Sequence, residues 1–180
     1  MPKTQIIFAI SGWRSSGKSP FCQRIIQRCR TAGFEIAGIL SPARIENGLK
    51  NGFFVTNLSS GETRLLASKV PGELLSDTSF GPWKFDQHVF NWGNQNLRTI
   101  KTCDLLVIDE LGPLELKQGK GWLAALESLQ NAEYKLALVV VRPECLDLLK
   151  GHVDVTQVIE VSSGQMDHPR GETLIADILF

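Results

Sequence analysis

The stretch covering residues 5–30 constrains the fold of this chain more than any other part of its sequence. Residues 5–11 are mostly apolar and predict a buried strand. Residues 18–30 carry apolar side chains at three- and four-residue intervals, which is the pattern of a helix with one buried face. The turn between them, Gly12-Trp-Arg-Ser-Ser-Gly17-Lys18-Ser19, has the spacing G-x-x-x-x-G-K-[ST]. The sequence therefore predicts a strand, a tight glycine-containing loop and a helix in direct succession.

This spacing suits the binding of a polyphosphate. Gly12 and Gly17 allow the backbone to fold tightly enough to point several N–H groups inward, and the following helix directs the positive end of its dipole to the same place. Lys18 is then able to reach the β- and γ-phosphates, while the hydroxyl of Ser19 is placed to ligate Mg²⁺. The residues predicted to contact the nucleotide are Gly12, Trp13, Arg14, Ser15, Ser16, Gly17, Lys18, Ser19 and Pro20.

A second candidate site element lies near the middle of the chain. Residues 105–108 read as a buried strand that ends in two consecutive carboxylates, Asp109 and Glu110. In proteins with the loop described above, an acidic residue at this place holds Mg²⁺, and we assign Asp109 to that role together with Ser19. We assign Glu110 to orienting and deprotonating an attacking water, which makes Lys18 and Glu110 the predicted catalytic pair. Taken alone, the two acids could instead be a helix cap and a first-turn acid.

The rest of the chain predicts one α/β domain over residues 1–180 with a central, mostly parallel sheet and helices on both faces. Further strands are expected at residues 34–40, 135–141 and 156–161, and helices at 91–101, 119–131, 144–150 and 172–179. The first strand–helix–strand unit predicts parallel pairing of its two strands through a right-handed crossover. Ligand is expected at the carboxyl ends of the strands.

Residues 42–85 differ in character from this pattern. Frequent glycines and short apolar runs predict antiparallel strands at residues 44–45, 52–58 and 63–66, joined by tight turns. This small β insertion could serve as a cover for one edge of the sheet or as a flap that closes over the phosphates. Beyond it, Arg142 follows the apolar strand 135–141, where it could sense phosphate charge or lie on the surface.

Composition excludes several other classes of function. Lys and Arg number 19, as do Asp and Glu, so the formal net charge is zero and we expect no nucleic-acid partner. No apolar stretch approaches the length of about 20 residues that spans a bilayer, and the N-terminus lacks a signal-peptide pattern. We therefore expect a cytoplasmic protein without a membrane partner. The four cysteines are scattered and predict small core residues.

With both motifs in place, the chain resembles the small nucleoside-triphosphatase family called THEP1, a family of P-loop NTPases. Asp109-Glu-Leu-Gly-Pro-Leu-Glu-Leu116 is similar to that family's D-E-I-G-x-M-E-L signature, and Gly38-Ile-Leu-Ser-Pro with Lys50-Asn-Gly52-Phe53 is similar to a second conserved stretch. The resemblance implies Mg²⁺-dependent hydrolysis of nucleoside 5′-triphosphates to diphosphates. It also adds candidate site residues beyond the two motifs: Arg44, Lys50, Glu115 and Arg170.

Several positions depart from the family pattern. Pro20 stands where a second hydroxyl residue is usual, and it offers the α-phosphate neither a hydroxyl nor an N–H. Lys50 replaces an arginine and loses bidentate phosphate contact, and Arg44 lies one place out of step. The favoured function is hydrolysis of ATP or GTP with Mg²⁺. The alternatives are a nucleotide-binding regulatory module with little turnover and a small-molecule kinase whose acceptor binds to the insertion.

Overall fold

The computed structural model describes residues 5–70, 79–162 and 169–180. The segment 1–4 and residues 71–78 of the predicted insertion lie outside this description. The described helices are α1 (Lys18–Thr31), α2 (Gln87–Thr99), α3 (Pro113–Leu116), α4 (Leu123–Asn131), α5 (Leu146–Lys150) and α6 (Pro169–Leu179), with a 3₁₀ turn at Pro143–Cys145. The described strands are β1 (Ile7–Ser11), β2 (Ile36–Leu40), β3 (Ala43–Glu46), β4 (Leu49–Asn57), β5 (Thr63–Lys69), β6 (Ser79–Phe80), β7 (Trp83–Phe85), β8 (Leu105–Leu111), β9 (Leu136–Val141) and β10 (Gln157–Glu160).

Within the described residues these strands form one sheet in the order β10-β1-β9-β8-β2-β4-β5-β7-β6, with β3 paired to β4. The first five strands in this order are parallel to their neighbours. From β4 onward the pairing is antiparallel, starting where β4 joins β2. The predicted α/β sheet with an antiparallel insertion at one edge is therefore confirmed.

The predicted pairing of β1 with β2 is wrong. Strands β9 and β8 lie between them, so the unit β1-α1-β2 spans the middle of the sheet. The most apolar strands lie in the middle of the parallel part of the sheet, where β9 is buried along its whole length. Gly38 lets β2 lie against β8, since its φ is 109° and a Cβ there would come within 1.9 Å of the Val107 carbonyl oxygen.

Helices cover both faces of the sheet. On one face, α1 and α6 bury Phe21, Ile25 and Ile175 against the side chains of the central strands. On the other face, α2 and α4 bury Leu97 and Leu129 in a second cluster. Each strand between the two clusters is apolar on both sides, which leaves the strand ends as the place where polar residues gather.

The helix boundaries differ from the predicted ones where a local cap decides them. Helix α2 begins at Gln87 rather than at residue 91, because the Asp86 carboxylate accepts hydrogen bonds from the backbone of His88 (2.8 Å) and Val89 (3.3 Å). Helix α4 begins only at Leu123 rather than at residue 119, and the side chain of Leu123 is 40% exposed. The short helix α3 was not predicted.

Strands β3, β4 and β5 match the three strands predicted for the insertion, although each is longer, whereas β6 and β7 were not predicted. The turn at Asn47 and Gly48 has positive φ at both residues, which suits a tight hairpin. All four cysteines are buried and free, as predicted. In the part of the chain that the structure describes, no helix has the length and apolar character needed to cross a membrane.

Candidate nucleotide site

The candidate site lies along one edge of the parallel sheet. Gly12 follows β1, Ser41 follows β2 and Arg142 follows β9, while Asp109 and Glu110 lie in the last residues of β8. The pairing of β8 with β9 shifts its register after Ile108, so this end of β8 is irregular. Since carboxyl ends of parallel strands meet at one edge, these residues from distant parts of the sequence lie close together.

The loop between β1 and α1 is closed tightly around Gly12. A Cβ on that glycine would lie 2.2 Å from the Val161 carbonyl oxygen and 2.5 Å from Ser16 Oγ, so no larger residue fits. Gly17 caps α1 with a φ of 102°, and Ser15 also has a positive φ of 60°. The hydroxyl of Ser16 is buried and has no hydrogen-bond partner among the described residues. A buried hydroxyl of this kind is suited to a ligand oxygen.

Lys18 is held inside this loop. Its side chain is buried, and its Nζ donates hydrogen bonds to the carbonyl oxygens of Gly12 (2.6 Å) and Trp13 (2.8 Å). Burial lowers the pKa of the ammonium, while the charges of Glu110 and then Asp109 act in the opposite direction. Neutral carbonyls stabilise the cation without neutralising it, so its charge stays available to a phosphate.

Asp109 is the most buried carboxylate of the site, with 1% of its surface exposed. The Ser19 hydroxyl lies close enough to this carboxylate to act against the rise in its pKa, so the two predicted metal ligands lie near each other. Ser41 adds a backbone N–H bond to Asp109 Oδ2 (3.2 Å) and a hydroxyl bond to the Asp109 carbonyl oxygen (2.6 Å). Burial and the neighbouring charge of Glu110 raise the pKa of Asp109 to about 7.

Glu110 is paired with Arg142. The Nε of Arg142 donates to Glu110 Oε1 at 2.8 Å, and Glu144 lies 3.6 Å from the same guanidinium. The side chain of Arg142 is only 18% exposed, so the alternative of a surface arginine does not hold. Sequence reasoning named Arg142 as a possible sensor but had no signal for its pairing with Glu110, and it overlooked the Ser41 side chain altogether.

Lys50 brings the insertion into the electrostatic field of the site. Its ammonium lies 3.9 Å from the centroid of the Phe53 ring, and burial of that group lowers its pKa. The charge of Glu110 acts against this shift and that of Arg14 acts with it, so both groups lie within range of Lys50. Trp13 and Arg14 themselves are exposed on the outside of the loop, as is Pro20 in α1.

The contacts that the structure describes for the remaining candidates are local. Glu115 is buried, and its carboxylate accepts hydrogen bonds from the backbone of Gly112 (3.0 Å) and Trp122 (3.2 Å), which ties together the loop after β8. Arg44 pairs with Glu46 on its own hairpin strand. Arg170 is exposed in the first turn of α6. In residues 5–70, 79–162 and 169–180, no hydrogen bond or ion pair joins these three to the loop.

A separate cavity of about 590 Å³ opens between α2 and residues 118–121. None of the predicted phosphate-site residues lines it. Of the tryptophans, Trp83 packs edge-on against Phe53 at 5.0 Å, and Trp92 lies under the guanidinium of Arg64 at 4.4 Å. These contacts favour packing over base stacking for both rings.

A family profile described as NTPase matches residues 7–170, nearly the whole chain. The chain belongs to this NTPase family. A nucleoside-triphosphatase THEP1 of Caldivirga maquilingensis is 28% identical over 167 residues, which cover 92% of this chain and 91% of that relative. The predicted resemblance to THEP1 proteins is therefore confirmed, and membership makes the chain a nucleoside triphosphatase.

Two solved structures share the fold of this NTPase. The solution structure of a human cancer-related nucleoside triphosphatase has a TM-score of 0.72 at 19% identity, covering 97% of both chains. The crystal structure of THEP1 from Aquifex aeolicus has a TM-score of 0.67 at 16% identity, covering 96% of this chain and 99% of that one.

Proposed function

We propose that this chain hydrolyses nucleoside 5′-triphosphates, ATP and GTP among them, to the diphosphate and inorganic phosphate with Mg²⁺. The observation that carries the proposal is the closeness of Ser19 to the Asp109 carboxylate, on whose pKa its hydroxyl acts. It brings the loop of the first motif and the acids of the second together, although they are far apart in sequence. Family membership supports the reaction class, and this geometry supports the assignment of residues to it.

The residues present suit Mg²⁺. Ser19 and Asp109 would hold the ion, since hydroxyl and carboxylate oxygens are the hard ligands it prefers and the two side chains lie close together. When bound, Mg²⁺ neutralises charge on the β- and γ-phosphate oxygens. Ser41 holds the Asp109 carboxylate from the end of the neighbouring strand β2.

The loop would hold the polyphosphate. Its backbone N–H groups and the unpartnered Ser16 hydroxyl would donate to phosphate oxygens, and Lys18 would exchange its two carbonyl partners for the β- and γ-phosphates. Lys18 and the Ser16 hydroxyl are already buried within the loop without substrate. The charge that develops in the transition state would therefore meet groups that need little reorganisation.

Glu110 would act as the general base. The oxygen of a water molecule attacks the γ-phosphorus, one of its protons passes to Glu110, and the bond to the β,γ-bridging oxygen breaks with its electrons moving onto the diphosphate. The positive charges of Lys18 and Arg142 both interact with the negative charge of this carboxylate. Lys50 and Arg14 would add positive charge from the insertion and the loop.

Phosphate release from ATP and GTP, with Mg²⁺ and with EDTA, tests the proposal. Wild-type protein should release phosphate in the presence of Mg²⁺. Glu110→Gln should lose about 100-fold or more of the rate while still binding nucleotide, because removal of a general base costs on the order of 10²–10⁴-fold. Glu127→Gln is the matched control, since Glu127 is an exposed acid of α4 paired with Arg98.

An unchanged rate in Glu110→Gln would rule out Glu110 as the base. Tight nucleotide binding by wild-type protein without phosphate release would favour the regulatory module. Phosphoryl transfer to an added acceptor, faster than to water, would favour the kinase.

A further inference from the structure

The pair formed by Arg142 and Glu110 stands at the centre of the site. Arg142 Nε donates to Glu110 Oε1 at 2.8 Å, and their side chains are 18% and 33% exposed. The pair packs over Gly112, where a built Cβ would lie 3.6 Å from an Arg142 terminal nitrogen and 3.7 Å from Glu110 Oε1. This arrangement is a half-buried ion pair, and one of its members is the proposed base.

The pair as it stands conflicts with the work assigned to Glu110. A carboxylate oxygen that already accepts a hydrogen bond from a guanidinium is less available to accept a proton from water. The guanidinium also has more donors than Glu110 uses, since arginine carries five N–H groups arranged to bind a carboxylate or phosphate in bidentate fashion. The positive charge of Arg142 lowers the pKa of Lys18, so the two cations share one electrostatic field.

We propose that Arg142 determines the preference for triphosphate over diphosphate by exchanging the Glu110 carboxylate for the γ-phosphate. The inference rests on the proposed function. A diphosphate fills the loop but offers Arg142 no γ group, so the ion pair stays closed and Glu110 stays occupied. A triphosphate presents a more highly charged partner, Arg142 moves onto it, and Glu110 is released to the attacking water. Discrimination and release of the base are then one event.

A purely structural role for Arg142 makes a different prediction. If the ion pair only joined the ends of β8 and β9, its loss would weaken the binding of both nucleotides equally or lower the stability of the protein. The ratio of the two affinities would not change. The ratio of triphosphate to diphosphate affinity therefore separates the two roles. Binding of the diphosphate also reports that each variant is folded.

The experiment measures calorimetric binding of ADP and of the non-hydrolysable β,γ-imido analogue of ATP, both with Mg²⁺. Arg142→Gln should bind the analogue about 10- to 100-fold more weakly and ADP unchanged, because charge-assisted hydrogen bonds to the γ group are lost. The affinity of Arg142→Lys for the analogue should lie between those of wild type and Arg142→Gln, since lysine keeps the positive charge but loses the bidentate geometry of the guanidinium. Arg98→Gln is the control, as Arg98 forms an exposed pair with Glu127 at 3.1 Å.

The exchange also predicts that removing the Glu110 charge increases affinity for the triphosphate analogue. Glu110→Gln removes the competing carboxylate, so it should bind the analogue at least about threefold more tightly than wild type, with ADP unchanged. The gain should be absent when Glu110→Gln is combined with Arg142→Gln. The exchange would be overturned if Arg142→Gln lost affinity equally for both nucleotides, or if Glu110→Gln bound the analogue no more tightly than wild type. Either result would leave the proposed hydrolysis intact. Failure of wild-type protein to bind either nucleotide would overturn both.

Discussion

Replacing Gly12 by alanine tests how closely the loop must approach the strand β10 and the residue that follows it. The added Cβ would lie 2.2 Å from the Val161 carbonyl oxygen, whereas ordinary contacts begin at 3.4 Å. The two groups would have to separate by about 1.2 Å, the difference between these distances. Both sides of the clash include backbone, so a side-chain rotation cannot relieve it. The variant must displace either the loop or the chain at Val161.

The magnitude follows from what that displacement disturbs. Overpacking at a tight site costs about 1–3 kcal/mol, and the hydrogen bond from Val161 N–H to the Ser11 carbonyl adds about 1 kcal/mol if it breaks. That bond measures 2.7 Å and joins the same two segments. We therefore expect a loss of about 2–4 kcal/mol in the free energy of unfolding. A shift of about 1 Å in the loop should also lower turnover on the order of 100-fold.

Urea unfolding gives the free energy, and phosphate release under saturating Mg²⁺ gives the rate. Gly151→Ala is the matched control, because Gly151 ends α5 with a φ of −72°, which alanine adopts freely. Its unfolding free energy should stay within about 0.5 kcal/mol of wild type. A Gly12→Ala protein that keeps both its stability and its rate would show that the loop tolerates the displacement, and the reasoning from close packing would be refuted.

Three further outcomes follow from the titrating groups. The pKa of Asp109 is about 7, so affinity for Mg²⁺-nucleotide should fall up to about tenfold per pH unit below 7, which titration calorimetry at several pH values would measure. Burial raises the pKa of Glu115 from 4.5 to about 7, so the folded state keeps a proton that the unfolded chain loses over this range. The contribution of Glu115 to stability thus falls as pH rises through that window, and Glu115→Gln should show a flatter dependence of unfolding free energy on pH. Burial raises the pKa of Cys22 well above 9, so the native protein should resist thiol reagents that label it in urea.

Much of the fold was predictable because its signals are local. The strand β1, the loop and α1 are specified by apolar periodicity and by glycines whose positions have a steric reason. Strand β9 is a continuous apolar run, as a strand buried on both faces must be. The start of α2 differs from the predicted one because it is set by the side chain of Asp86, a cap that apolar periodicity does not reveal.

Only those site residues that occupy a fixed position in a sequence motif could be predicted. Ser19 and Asp109 are predictable as ligands of one metal, since Ser19 has a fixed place in the loop motif and Asp109 lies at the end of a recognisable strand, and the structure places them near each other. Arg44 and Arg170 came from resemblance alone, and the described structure gives Arg44 a partner on its own strand and leaves Arg170 exposed. The buried position of Glu115 is explained by local structure, since its carboxylate accepts hydrogen bonds from two backbone N–H groups.

The sequence by itself determined which segments become strands and helices and which loop can hold a polyphosphate, because backbone geometry and burial pattern act over short distances. The tertiary structure decided the order of the strands, the support of Asp109 by Ser41 and the pairing of Arg142 with Glu110. These depend on which strand ends become neighbours across the sheet, and no local spacing encodes that choice. The same assembly raises the pKa of Asp109, since a carboxylate acquires its environment only when distant segments close around it.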